Sequence, residues 1–173
     1  MTSLDELAAC EVDLYASVTR AVGSMDQKHA ALEAAGVFTA YADVLAGYLR
    51  LLDDPAAAHE ALKRATFLVW YSVAEPGCFT GVGPIPAPLV QATLAALEAA
   101  IARGALDGEF AAMLGYYEAV ADFAFTRGGP WPGLARARAV SDPDAWRTEV
   151  PPPERPWLRG QMGEYWASIS RVT

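Results

Sequence analysis

Apolar residues recur along this chain at intervals of three and four, the period of an α-helix that buries one face. Leu4, Leu7, Leu14, Val18 and Ala21 form the first stripe, and Ser3 followed by Glu6 supplies a capping box for it. Ser24 and Gln27 repeat that start signal for a short helix that Gly36 ends. Val37, Phe38, Tyr41, Val44, Leu45, Tyr48, Leu49 and Leu52 then make the cleanest amphipathic face. Asp54 ahead of Pro55 marks the next start, because Asp caps free amides and Pro tolerates the first helical position. The helix over 55–75 begins amphipathic and turns apolar on every side in FLVWYSVA, residues 67–74. A helix without a polar face is expected at the centre, surrounded by others.

Pro88 opens a further helix with Val90, Leu94, Leu97 and Ile101 inward, and Asp107 caps another that carries Phe110, Met113, Leu114, Tyr117 and Val120. From Thr126 the regularity lapses: RGGPWPG, SDPDAW and PPPERP are turn or polyproline chemistry, and a last short helix is expected over 162–169. No segment alternates with period two for long enough to predict a strand. The pattern predicts an all-α, single-domain antiparallel helical bundle of six or seven helices. Residues 1–126 are its helical core and 127–156 a Gly/Pro-rich irregular segment. Residues 157–173 pack back on the bundle through Trp157, Met162, Tyr165 and Trp166.

Two loops resemble each other. CFTGVGPIP (78–86) and AFTRGGPWP (124–132) share F-T-x-x-G-P-x-P, 46 positions apart, and the same offset pairs Leu68 with Leu114 and Tyr71 with Tyr117. Similar helix stops explain Gly and Pro but not the aromatic and Phe-Thr pairs. The expectation is a two-unit HEAT-like helical-hairpin repeat, with Phe79 and Phe125 buried at equivalent positions. A pair of helices running up and down within 46 residues brings both loops to one end of the bundle.

Composition narrows the function. The 173 residues are 53% hydrophobic, which excludes a disordered chain, and the net charge of −8 with only two lysines disfavours nucleic acid and anionic membranes. The stretch between Glu75 and Glu98 is long and uncharged but carries four prolines, so no spanning helix is expected there. Cys10 and Cys78 do not make a disulfide framework and are expected as free thiols in the cytoplasm. LAAC at 7–10 mimics a lipoprotein box, but only six residues precede it and two are acidic.

No catalytic set, metal or cofactor is assigned. Asp26, His29 and Glu33 share one helical face, but His59 lacks the carboxylate three residues earlier that a second metal-binding half would need. Cys78 follows a helix instead of starting one, and GVGPIP lacks the lysine of a phosphate loop. The leading expectation is a non-catalytic cytosolic interaction or adaptor protein that uses the face with loops 79–86 and 125–132. A protein partner or a symmetric homodimer suits that face. The alternative is a small enzyme or binder of an apolar small molecule, with a pocket between the central helix 55–75 and the same loops. The candidate binding residues are Glu75, Cys78, Phe79, Trp131 and Arg159. Glu75 faces the negative end of its own helix, so an arginine partner is expected, Arg159 first and Arg127 next.

Overall fold

Serine caps start the first two helices. Ser3 accepts the Glu6 amide and Ser24 that of Gln27, and each receives the reciprocal bond that completes a capping box. The computed structural model describes residues 2–170, with Arg138 and Val140 described in backbone only. Residues 1 and 171–173, the outermost parts of the expected domain, lie outside the described residues. Among the described residues ten α-helices follow one another: α1 (Leu4–Arg20), α2 (Met25–Ala34), α3 (Val37–Arg50), α4 (Ala58–Ala74), α5 (Gly77–Thr80), α6 (Ala87–Ala102), α7 (Gly108–Ala121), α8 (Pro132–Val140), α9 (Trp146–Glu149) and α10 (Gly160–Ser170). Three short 3-10 turns, Leu51–Asp53, Asp122–Phe125 and Pro156–Arg159, join them, and no strand occurs among the described residues.

The class is all-α, but six or seven helices undercount it. The additional helices are the short α5, α8 and α9, and two of them fall in residues 127–156, expected to be irregular. Pro132 occupies the first position of α8, and the Glu98 carboxylate accepts its free amides from Gly133 at 2.6 Å and Leu134 at 2.9 Å. That carboxylate lies on α6, so the local sequence carried no sign of it. The start of α4 also differs. Asp54 accepts the Ala56 amide at 3.0 Å in an Asx turn, and the helix begins a turn later at Ala58.

Helix α4 is central. Residues 61–70 are all buried, and α3, α6, α7 and α10 pack around them. Helix α1 runs antiparallel to α3: Leu7 lies against Gly47, and Tyr41 and Tyr48 both donate to Glu11. Helix α7 runs parallel to α4. Lys63 meets Glu109 near their starts, and Trp70 stacks on Tyr117 toward their ends, with ring centroids 4.5 Å apart. Both following loops therefore leave the same end of this helix pair.

The C-terminal segment is built into the core. Met162 and Trp166 are buried, and the Trp166 indole donates to the Tyr117 hydroxyl at 3.0 Å. Tyr165 bonds the Tyr116 hydroxyl at 2.7 Å. Trp157 is 52% exposed and takes no part in this burial.

Candidate functional site

The two similar loops are not structurally equivalent. Phe79 is 47% exposed on α5, whereas Phe125 is 4% exposed beneath its loop. The left-handed glycine is Gly81 in the first loop (φ 78°) and Gly128 in the second (φ 80°), one place out of register with the shared motif. The Thr80 hydroxyl accepts the Val82 amide at 3.0 Å, while the Thr126 hydroxyl donates back to the Phe123 carbonyl at 3.1 Å. The expectation of equivalent buried phenylalanines fails, and these loops give no support to a HEAT-like duplication. What the 46-residue offset does capture is the side-by-side register of α4 and α7.

Each loop nevertheless closes a concavity at this end. The larger, about 440 Å³, lies between the last turn of α4 and residues 82–84, with Glu75 and His29 in its wall. The smaller, about 230 Å³, lies under the second loop between Phe125 and Trp131. Phe79 and Phe123 (53% exposed) stand out from the surface on the short helical turns that lead into the two loops.

Trp131 is half-buried instead of projecting as an anchor, and its indole N–H donates to the Arg127 carbonyl at 3.0 Å. Cys78, expected at a binding surface, is 4% exposed and packs inward. Glu75 is exposed in extended geometry (φ −132°, ψ 145°), which the following Pro76 enforces. Glu75 does not meet Arg159. Arg159 lies beside Glu60, fifteen residues earlier on the same helix run, a separation of roughly 22 Å at 1.5 Å per residue.

Arg159 instead joins a charged network at the opposite end of α4. Its guanidinium donates to Glu60 at 2.8 Å through both Nε and Nη2, and to Glu109 at 2.6 Å through Nη1. Lys63 bridges Glu109 and Asp107, and His59 pairs with Asp107 at 2.8 Å. Arg64 donates to Glu60, to the Leu4 carbonyl and to the Leu158 carbonyl, so the network ties α1, α4, α7 and the turn before α10 together. Burial pushes the carboxyls of Glu60 and Glu109 up, but these cations outweigh it and hold both below the usual range. Burial raises Asp107 as well, yet bonds from Lys63, the Phe110 amide and His59 hold it at about 2. With charges matched this closely, the network serves to fasten the C-terminal segment to the bundle.

A second buried charge, Glu11, is 1% exposed between α1, α3 and α10. Its carboxylate accepts the Tyr48 hydroxyl at 2.5 Å and the Gln161 amide at 3.0 Å. Gly160 makes room for it with φ of 60°, since a Cβ there would lie 2.5 Å from the Glu11 carboxylate. Burial lifts the carboxyl to about 7, offset in part by Tyr48, Gln161 and Arg64. Among the described residues no cluster of His, Cys, Asp and Glu is arranged to hold a metal ion. Nor is any single helix there long and apolar enough to cross a membrane.

No known protein family matches the chain, and comparison with curated proteins and with solved structures likewise gives no match.

Proposed function

We propose that this chain is a helical interaction protein whose partner-binding face is the end carrying residues 79–86 and 125–132. The observation that carries the reading is the pair of exposed phenylalanines, Phe79 and Phe123, on the short helical turns that lead into the two loops where α4 and α7 end together. Aromatic side chains held on short helical turns offer large contact area at low entropic cost, as interface anchors do. The charged network at the other end is internally satisfied, which leaves the loop end as the better candidate for recognition. A photocrosslinking residue placed at 79 or 123 in the native host is expected to give the same adduct from both positions and none from 22 or 157. Adducts that differ between 79 and 123, or that form equally from 22, would count against the reading.

The 440 Å³ concavity between α4 and the first loop favours a second reading, a binder or small enzyme acting on an apolar small molecule. Under that reading a small apolar compound raises the melting temperature, and replacing Val82 with Trp abolishes the rise.

A further inference from the structure

We propose that the concavity at the C-terminal end of α4 seats a basic side chain of the protein partner, an arginine, an inference that rests on the interaction reading above. A helix of 17 residues points its negative end into this space. Among the described residues no N–H reaches the carbonyls of Ser72, Val73 or Ala74. Pro76 has no N–H to give Ser72, and the Glu75 amide goes back to Tyr71 at 3.3 Å. Glu75 adds a full negative charge to the same wall and makes no ion pair among the described residues.

Among the described residues no neighbouring cation pairs with Glu75. The Lys28 ammonium lies over the Phe79 ring, 5.9 Å from its centroid, and Arg159 is held by Glu60 and Glu109 at the far end of α4. His29 sets its ring against Phe38 at 4.8 Å. The space is thus bordered by one carboxylate and three carbonyls that accept no N–H, and among the described residues no ion pair neutralises them. A calcium ion takes roughly six to eight oxygen ligands, and one carboxylate with three carbonyls falls short of that set. A guanidinium fits the chemistry better. Its planar fork carries five donors, enough for a carboxylate and adjacent carbonyls together, whereas a lysine ammonium acts as a point charge. The chain's net charge of −8 also draws a cationic surface toward it.

The test uses the whole chain and a defined probe. N-acetyl-arginine N-methylamide is titrated at constant ionic strength while backbone amides are followed by NMR. The lysine and citrulline counterparts serve as controls. Shifts are expected at residues 72–77 and 82–84, larger with arginine than lysine and absent with the uncharged citrulline. They are expected to vanish in Glu75→Gln, whose melting temperature stays that of the wild type. Equal shifts with citrulline, shifts that survive in Glu75→Gln, or none at these residues would overturn the proposal. With the native partner, Glu75→Gln is expected to weaken binding about tenfold or more. Full binding by Glu75→Gln, with loss in Phe79→Asp/Phe123→Asp, overturns the arginine seat and leaves the interaction face standing. Full binding by both variants overturns both.

Discussion

The indole N–H of Trp70 donates to the backbone carbonyl of Tyr117 at 2.9 Å, and the two rings stack with centroids 4.5 Å apart. Both residues are fully buried, so this pair fixes the height of α4 against α7. It explains why two loops 46 residues apart emerge together although they are not copies of one structure.

Trp70→Phe keeps an aromatic ring but removes the donor and leaves space. A loss of about 2–4 kcal/mol is expected from the bond and the cavity together. Urea unfolding measures it, and a loss below about 0.5 kcal/mol would mean that this contact does not set the helix pair.

The shared Phe-Thr motif gives a sharper comparison. Phe125→Ala is expected to cost about 3–5 kcal/mol, as a filled core position does, and Phe79→Ala less than about 1 kcal/mol. Equal losses at the two positions would restore the idea of structurally equivalent loops.

Arg159 is the hub between Glu60 and Glu109, each partly shielded from water. Arg159→Met removes one cation from each carboxylate while Arg64 stays on Glu60 and Lys63 on Glu109, so a cost of at most about 3 kcal/mol is expected, the low end for a broken buried pair. Double replacement with Glu60→Gln is expected to recover part of the loss. Chemical unfolding of the three variants checks the coupling, and strict additivity would contradict it.

Stability is expected to peak in mildly acidic solution. Burial raises Glu11 from 4.5 to about 7, so the folded chain keeps a proton there that the unfolded chain releases. This contribution is full below about pH 4.5 and is lost as the pH rises through 7. Asp107, held at about 2, works in the opposite sense, and its contribution disappears as the pH falls toward that value. Melting temperature against pH should therefore decline between about pH 5 and 8 in the wild type and stay flatter over that range in Glu11→Gln. Identical alkaline limbs would show that Glu11 does not titrate in this window. The groups facing it are Tyr48 and Tyr41 on α3, Arg64 on α4 and the Gln161 amide on α10.

The long helices and their caps were legible because periodicity and capping are local. Ser3, Ser24 and Asp107 cap where the sequence places them. The ends of α4 show where local reading stops. Arg159 is separated from Glu60 by 99 residues, and nothing near either residue announces the other. Charge chemistry at Glu75 suggested a missing cation, but which arginine could reach it depended on tertiary position. Glu11 did leave a trace. It stands four residues after Leu7 and seven before Val18, inside the buried face of α1, and a carboxylate in an apolar stripe signals a buried polar contact. Phe79 and Phe125 share letters and spacing but not environments. One is the exposed residue of a single-turn helix, and the other is buried in the 3-10 turn that follows α7.

The most direct test of the loop end as an interaction face is recovery of partners from the native host with wild-type chain and with Phe79→Asp/Phe123→Asp. Both positions are about half exposed, so the variant should fold and melt like the wild type. A protein recovered with the wild type is expected to be lost with this variant and kept with Trp157→Asp, a control for exposed aromatic surface elsewhere. Recovery of the same protein in equal amount with Phe79→Asp/Phe123→Asp would contradict it.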